Sequence, residues 1–231
     1  MACVGCMIGR KVTPRLAQSE TLKPHLDYEF EFIQQGCSLI AGIDEVGRGA
    51  LAGPVLAGAV LLPIEQSDLL KVLDGVRDSK LCTASQREEL YNRIGAIALE
   101  AEVGMATHAE IDQIGIGAAT RLAMCRALEA LKRVPQALLI DWVRLREINL
   151  PQLSIIKGDQ RSLSIAAASI IAKVTRDRMM VELEADYPGY GFARHKGYCT
   201  IGHQAAIEKL GPCEIHRRSF DPIRARLIDS E

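Results

Sequence analysis

The stretch Ala41-Gly42-Ile43-Asp44-Glu45-Val46-Gly47-Arg48-Gly49-Ala50-Leu51-Ala52-Gly53-Pro54-Val55 decides the reading of this chain. It continues a compact apolar run, Cys37 to Ile43, which predicts a buried strand ending in Asp44 and Glu45. At its other end it opens a second apolar run, Pro54 to Leu62, which predicts another strand. The turn Gly47-Arg48-Gly49 joins the two into a hairpin-like pair. Adjacent residues of a regular strand point to opposite faces, so Asp44 and Glu45 serve one site only if the strand ends or bends there. The glycines that follow allow such a bend.

Outward from this pair, periodicity predicts alternating helices and strands. Leu26 to Gln35 reads as a short helix. A helix starts near Ser85, where Glu88 three residues on gives a capping-box spacing, and Leu90, Ile94 and Ile97 continue its apolar face. Leu99 to Met105 reads as a third strand. Ala109 to Leu131 reads as one long helix, with Ile114, Ala118, Leu122, Cys125 and Leu128 on one side. Ala137 to Ile140 is a short apolar strand ending in Asp141, and Leu153 to Ile156 is another, ending near Asp159. Ser164 to Ala185 is a helix whose first half is made of small residues, which suits close approach to a sheet. His203 to Leu210 is a last helix, and Pro222 onward reads as a short tail. The fold class is α/β, a mixed central sheet flanked by helices. Residues 1–24 read as a flexible extension, 25–186 as the main α/β domain, and 187–231 as a C-terminal helical and loop region.

The chain has 231 residues, 48% hydrophobic and 25% charged, enough for a real core without staples. The N-terminus lacks the order of a signal peptide, and the most apolar stretch, Ala50 to Ile64, is broken by Gly53, Pro54, Gly58 and Pro63. A soluble, cytoplasmic protein is expected. Seven scattered cysteines fit a reducing compartment. Cys3 and Cys6 form one C-x-x-C without a second ligand pair, so a frayed terminus is the better reading than zinc. The formal net charge of −1 argues at first against a nucleic-acid partner. Yet between Gly189 and Arg226 seven Lys and Arg outnumber three acids, which predicts a local basic region.

Three apolar strands thus lead into acids: Asp44 and Glu45, Asp141, and more loosely Asp159. An acid at the end of a buried strand is costly unless it is paired, hydrogen-bonded or bound to a cation. Gathered together, such acids make an oxygen-rich cluster suited to Mg²⁺ or Mn²⁺. Two such ions can activate a water and stabilise a departing oxygen in phosphodiester cleavage. Any single acid of this kind is also common in ordinary turns.

The opening stretch strongly resembles the signature of bacterial ribonuclease HII. The resemblance continues in order through Asp78-Ser79-Lys80, Glu110-Ile111-Asp112-Gln113-Ile114 and the strand ending at Asp141. It continues with Lys157-Gly158-Asp159, Ala166-Ala167-Ala168-Ser169-Ile170, Ala172-Lys173-Val174-Thr175-Arg176-Asp177, His195-Lys196-Gly197-Tyr198 and His216-Arg217-Arg218-Ser219-Phe220. It covers roughly residues 27–224. It implies a ribonuclease H-like fold with a small C-terminal helical addition. It implies cleavage of the RNA strand of RNA–DNA hybrids, and cutting 5′ to a single ribonucleotide in duplex DNA, leaving a 3′-hydroxyl and a 5′-phosphate. Asp44, Glu45, Asp141 and Asp159 match the family's catalytic, metal-binding acids.

The resemblance also implies recognition residues. Gly47, Arg48 and Gly49 would bring backbone to the 2′-hydroxyl, the group separating RNA from DNA at a site, with Arg48 near phosphate. Tyr198 would pack on the neighbouring deoxyribose, and Lys80 is a phosphate contact. The cluster His216-Arg217-Arg218 reads as a phosphate contact or as partners for acids in the tail. His195 and His216 are given no general-base role. The family usually has Pro where Ala50 stands, Gly where Trp142 stands and Asn where Gly115 stands; Trp142 bears on geometry near the acids. A ribonuclease HIII-like enzyme and a non-catalytic binding module are the rival readings. A phosphate-binding P-loop is set aside because no Lys-Ser/Thr follows the glycines. The expected partners are RNA–DNA hybrid and ribonucleotide-containing duplex, for a monomer with no clear sliding-clamp peptide at its C-terminus.

Overall fold

The computed structural model describes residues 23–228. Most of the expected N-terminal extension, including Cys3 and Cys6, lies outside the described residues. From the N-terminal side the elements are α1 (Asp27–Gln34), β1 (Ile40–Val46), β2 (Val55–Leu61), α2 (Leu69–Val72), α3 (Ala84–Ile97) and β3 (Glu100–Ala106). There follow α4 (His108–Ile114), α5 (Ile116–Ala130), β4 (Ala137–Asp141), β5 (Gln152–Ile155), α6 (Leu163–Asp186), α7 (Phe192–His195), α8 (Ile201–Leu210) and α9 (Ile223–Ile228). The sheet order is β3-β2-β1-β4-β5, with β1–β2 and β2–β3 antiparallel and β1–β4 and β4–β5 parallel. This is the mixed sheet flanked by helices that the sequence predicts.

The central strands are apolar on both faces because helices cover both. Alternate residues feed two cores. Ile40, Val60 and Leu139 pack with α6 and α3, and Ala41, Ile43, Ala59 and Ile140 pack with α5. The small residues of α6 do what their size suggests. A Cβ on Gly42 would lie 2.1 Å from the backbone of Ser164, and one on Gly58 2.5 Å from the carbonyl oxygen of Ala168. Helix and sheet therefore touch backbone to backbone. The start of α6 is fixed by Ser162, whose hydroxyl accepts from the Ile165 N–H, and by Glu29 of α1. The buried Glu29 carboxylate accepts from the Ser162 hydroxyl and the Ser164 N–H.

Four local expectations are corrected. β1 does not end at Asp44 and Glu45 but runs through them to Val46, because β2 keeps pairing as far as Val46↔Leu56. The segment 109–131 is two helices, broken at Gly115, whose φ of 78° no continuing helix adopts. The cap of α3 is Thr83 with Gln86, not Ser85 with Glu88; both pairs have the same spacing, and Ser85 falls in the first turn. The tail after Pro222 contains α9. A third core joins Leu51, Ala52 and Met180 to Tyr190, Phe192, Ile207, Ile215 and Ile223. The segment from Tyr190 to Ile223 is thereby seated against the turn that follows β1. Among the described residues no helix is long and apolar enough to cross a membrane, and the five described cysteines are free thiols.

Candidate active site

β1 and β4 run parallel, and their last registered pair is Ile43↔Ile140. Asp44 and Asp141 come next on each strand, on the face covered by α6. β4 stops at Asp141 while β1 continues, so the sheet has an open corner here. Glu45 starts from the opposite face, and its longer side chain closes on the same point. One oxygen from each of Asp44, Glu45 and Asp141 lies within 4.8 Å of the others. The bend expected from the sequence is not needed, because the strand beside β1 ends instead.

Asp159 sits in a single helical turn, Gly158–Gln160, ahead of α6, and is buried. It is not one of the three converging ligand groups, though its charge acts on Asp44. Burial, then the charges of Glu45 and Asp141, push the Asp44 carboxyl well up from its ordinary value; a hydrogen bond to the Ser169 hydroxyl works the other way. Burial, then Asp78 and Asp141, lift Asp159 to about 6. Burial likewise raises Asp141, against the Gly158 N–H that donates to its Oδ1 at 2.8 Å. Buried carboxyls raised by one another are what a divalent cation relieves, and the donors are all oxygen. The residues therefore fit Mg²⁺ or Mn²⁺ better than zinc.

Lys80 lies beside this cluster. Burial disfavours its charge, but Asp78, Asp159, Asp44 and Asp141 together outweigh that and raise its pKa. Asp78 itself was not singled out in the sequence. It is buried, accepts from the Lys80 N–H at 2.9 Å and from Gln160 at 3.2 Å, and raises Asp159. Its only sequence signal was its place beside Lys80.

Trp142 occupies the position after Asp141 with φ of 46°, in the left-handed region that favours glycine. Such a conformation costs roughly 1–2 kcal/mol for a bulky residue. Its indole Nε1 donates to both Glu45 oxygens, at 2.9 and 3.1 Å. The Arg48 guanidinium lies 4.2 Å from the centre of its ring and 3.6 Å from Glu45. Burial raises Glu45, and Trp142 and then Arg48 oppose that rise.

The turn after β1 is held from behind. Arg217 is fully buried, and its guanidinium donates to the carbonyls of Gly53, Arg48 and Gly47 at 3.0, 2.8 and 2.7 Å. Arg176, also fully buried, donates to those of Pro54, Lys196 and Ala52. This corrects one expectation. Arg217 is no surface phosphate contact, because its fork is spent on backbone oxygens. Arg224 pairs with Asp221 at 2.7 Å, so the region keeps its net basic balance but offers fewer unpaired basic side chains than it has. His216 is buried too, its Nε2 3.1 Å from His203 Nε2. Arg218 stays exposed.

Gly47 has φ of 88° and faces Arg176 so closely that a Cβ would sit 2.2 Å from its Nε. A Cβ on Gly49 would meet open space. Tyr198 is joined to this turn through a backbone bridge to Ala50, with Arg176 5.3 Å from its ring centre. The acids, Lys80, the turn and Tyr198 therefore belong to one region. A cavity of about 620 Å³ lined by Asp78 and Gln160 contains none of the three converging acids.

The sequence profile of the family described as Ribonuclease HII matches residues 41–223. A protein named Ribonuclease HII from Citrifermentans bemidjiense is 54% identical over 202 residues, 87% of this chain and 86% of that protein. Another of that name, from Chloroflexus aurantiacus, is 50% identical over 211 residues, covering 90% and 98%. The crystal structure of the ribonuclease H2 from Pyrococcus horikoshii superposes with a TM-score of 0.69 at 28% identity, covering 81% of this chain and 96% of that one.

Proposed function

The chain belongs to the ribonuclease HII family, and on that premise we propose that it hydrolyses the RNA strand of RNA–DNA hybrids and cuts duplex DNA 5′ to a single embedded ribonucleotide. The products carry a 3′-hydroxyl and a 5′-phosphate. The convergence of Asp44, Glu45 and Asp141 beside the Gly47-Arg48-Gly49 turn carries this reading. It works as a monomer in the cytoplasm, and the five described cysteines, all free thiols, suit that reducing compartment.

Asp44, Glu45 and Asp141, with Asp159, would hold the divalent cations, Mg²⁺ or Mn²⁺ and two in number. When bound, these supply Lewis-acid polarisation of the phosphate and a water of lowered pKa. The chain's own residues position the duplex. Arg48 and Lys80 meet phosphates on either side of the acids. Gly47 and Gly49 present backbone to the 2′-hydroxyl, Gly47 packed against Arg176 behind the turn and Gly49 with no Cβ on its open side. Tyr198 packs on the sugar of the next deoxynucleotide. Neither His195 nor His216 takes a proton from the attacking water. His195 Nε2 lies 2.8 Å from the Tyr190 carbonyl, and His216 is buried against His203.

The test is a labelled duplex with one ribonucleotide, incubated with and without Mg²⁺ or Mn²⁺. Metal-dependent cleavage at its 5′ side is expected. Asp44→Asn and Asp141→Asn should abolish it while leaving hybrid binding and folding largely intact. Near-normal turnover by either variant overturns the assignment. A protein that degraded hybrids but left the single ribonucleotide uncut would have ribonuclease HIII-like specificity instead.

A further inference from the structure

We infer that Trp142 is a positioning residue that holds a metal-ligating carboxylate, Glu45, and a substrate-facing guanidinium, Arg48, in one fixed arrangement. The inference rests on the reading of the acids as a divalent-metal centre and adds a role for a residue outside that set.

Three contacts close a triangle. The indole N–H is shared between Glu45 Oε1 and Oε2 at 2.9 and 3.1 Å. The Arg48 guanidinium stacks 4.2 Å from the ring centre. Arg48 Nη1 and Glu45 Oε1 are 3.6 Å apart. A carboxylate oxygen has two acceptor sites, so one shared N–H leaves a site on each oxygen for a cation. Trp142 thus orients Glu45 without using it up. Arg48 depends on the ring in a different way. Its Nε is buried without a hydrogen-bond partner, so the flat indole face keeps the guanidinium in place.

The backbone points the same way. Trp142 is one of three non-glycine residues with positive φ among those described, and it is 40% exposed. A large apolar side chain in a glycine-favouring conformation, half in solvent, is not there for packing. An observed outlier of this kind beside an active site licenses a functional reading. The glutamate needs an anchor because it reaches the cluster from the opposite face of β1 from Asp44. Trp142 is the residue that immediately follows β4, so β4 itself delivers the anchor.

The experiment separates the two contacts. Trp142→Phe keeps the ring under Arg48 and loses the N–H. Trp142→Gly loses both and relieves the backbone. Calorimetric titration with Mn²⁺, without nucleic acid, should show at least ten-fold weaker binding in both variants, the range for a removed ligand-orienting hydrogen bond. The thermal midpoint of metal-free Trp142→Gly should equal or exceed that of the unsubstituted protein, which a merely structural role for the side chain does not predict. Steady-state kinetics at saturating metal should show KM for a single-ribonucleotide duplex rising in Trp142→Gly and unchanged in Trp142→Phe. Trp142 is also the one tryptophan of the chain. Its emission should change on Mn²⁺ addition with the midpoint that calorimetry gives. Variants that bind Mn²⁺ within two-fold of the unsubstituted protein overturn the inference and leave the metal centre standing. If the unsubstituted protein binds no divalent metal, the metal centre falls, and the inference with it.

Discussion

Arg217 and Arg218 are neighbours with the same charge, and the structure gives them opposite fates. Arg217 donates to three carbonyls of the turn after β1 and is fully buried, while Arg218 is exposed. Replacing Arg217 by Met removes a charged donor from three buried acceptors. Hydrogen bonds to charged groups contribute about 1.5–3 kcal/mol each, so a loss of ~2 kcal/mol or more is expected. At this chain length that lowers the thermal midpoint by roughly 4–8 °C. Arg217→Lys should not restore it, because an ammonium cannot span three acceptors as a planar fork does. Arg218→Met should leave the midpoint almost unchanged, and equal losses in the two variants would contradict this account. The acids, by contrast, were legible residue by residue, because an acid beside a buried apolar run carries its own energetic warning. Burial of a cation by backbone oxygens carries none, since carbonyls are present at every residue. Asp78 escaped for a related reason: its partners Gln160 and Asp159 are about eighty residues away in sequence.

At the scale of elements, the contact of β1 with α6 sets where the acids stand. Gly42 lies two residues before Asp44, and a Cβ there would run into the backbone of Ser164. Gly42→Ala must push strand and helix apart. Overpacking of this kind costs typically 1–3 kcal/mol. Urea denaturation should show that loss at unchanged m-value, and cleavage should fall as well, because Asp44 and the turn bearing Asp159 move relative to each other. Full activity in a folded Gly42→Ala protein would separate the acids from this packing. The sequence told that α6 comes close to the sheet, since small residues recur along its first half. It did not tell where β1 ends. A strand's end depends on its neighbours, and here β2 continues while β4 does not. The break between α4 and α5 was also hidden, because apolar residues keep helical spacing across Gly115.

For the whole molecule, pH acts on two buried histidines and a buried aspartate in opposite senses. Burial, and for His216 next the charge of His203, lowers both His203 and His216 to about 4. Unfolded histidines bind protons near 6.5, so this pair contributes stability that is full above pH 6.5 and lost as pH falls toward 4. Asp159 is raised to about 6, so its contribution is full below its unfolded value near 3.8 and lost as pH rises through 6. Without divalent metal the two slopes oppose each other between pH 4 and 6. Saturating Mg²⁺ removes the penalty on the acids, so the thermal midpoint should then climb with pH up to about 6.5. The Mg²⁺-induced rise in midpoint should be larger at pH 7.5 than at pH 5. An increment independent of pH would detach the raised carboxyls from metal binding.

The clasp of Arg217 on Gly47 also has a meaning in time. The two residues are 170 positions apart, and all four acids are synthesised well before Arg217. A nascent chain can therefore acquire its sheet and its carboxylates while the turn after β1 still lacks its internal support. The nuclease is finished from the back, a late-made arginine bracing a turn laid down 170 positions earlier.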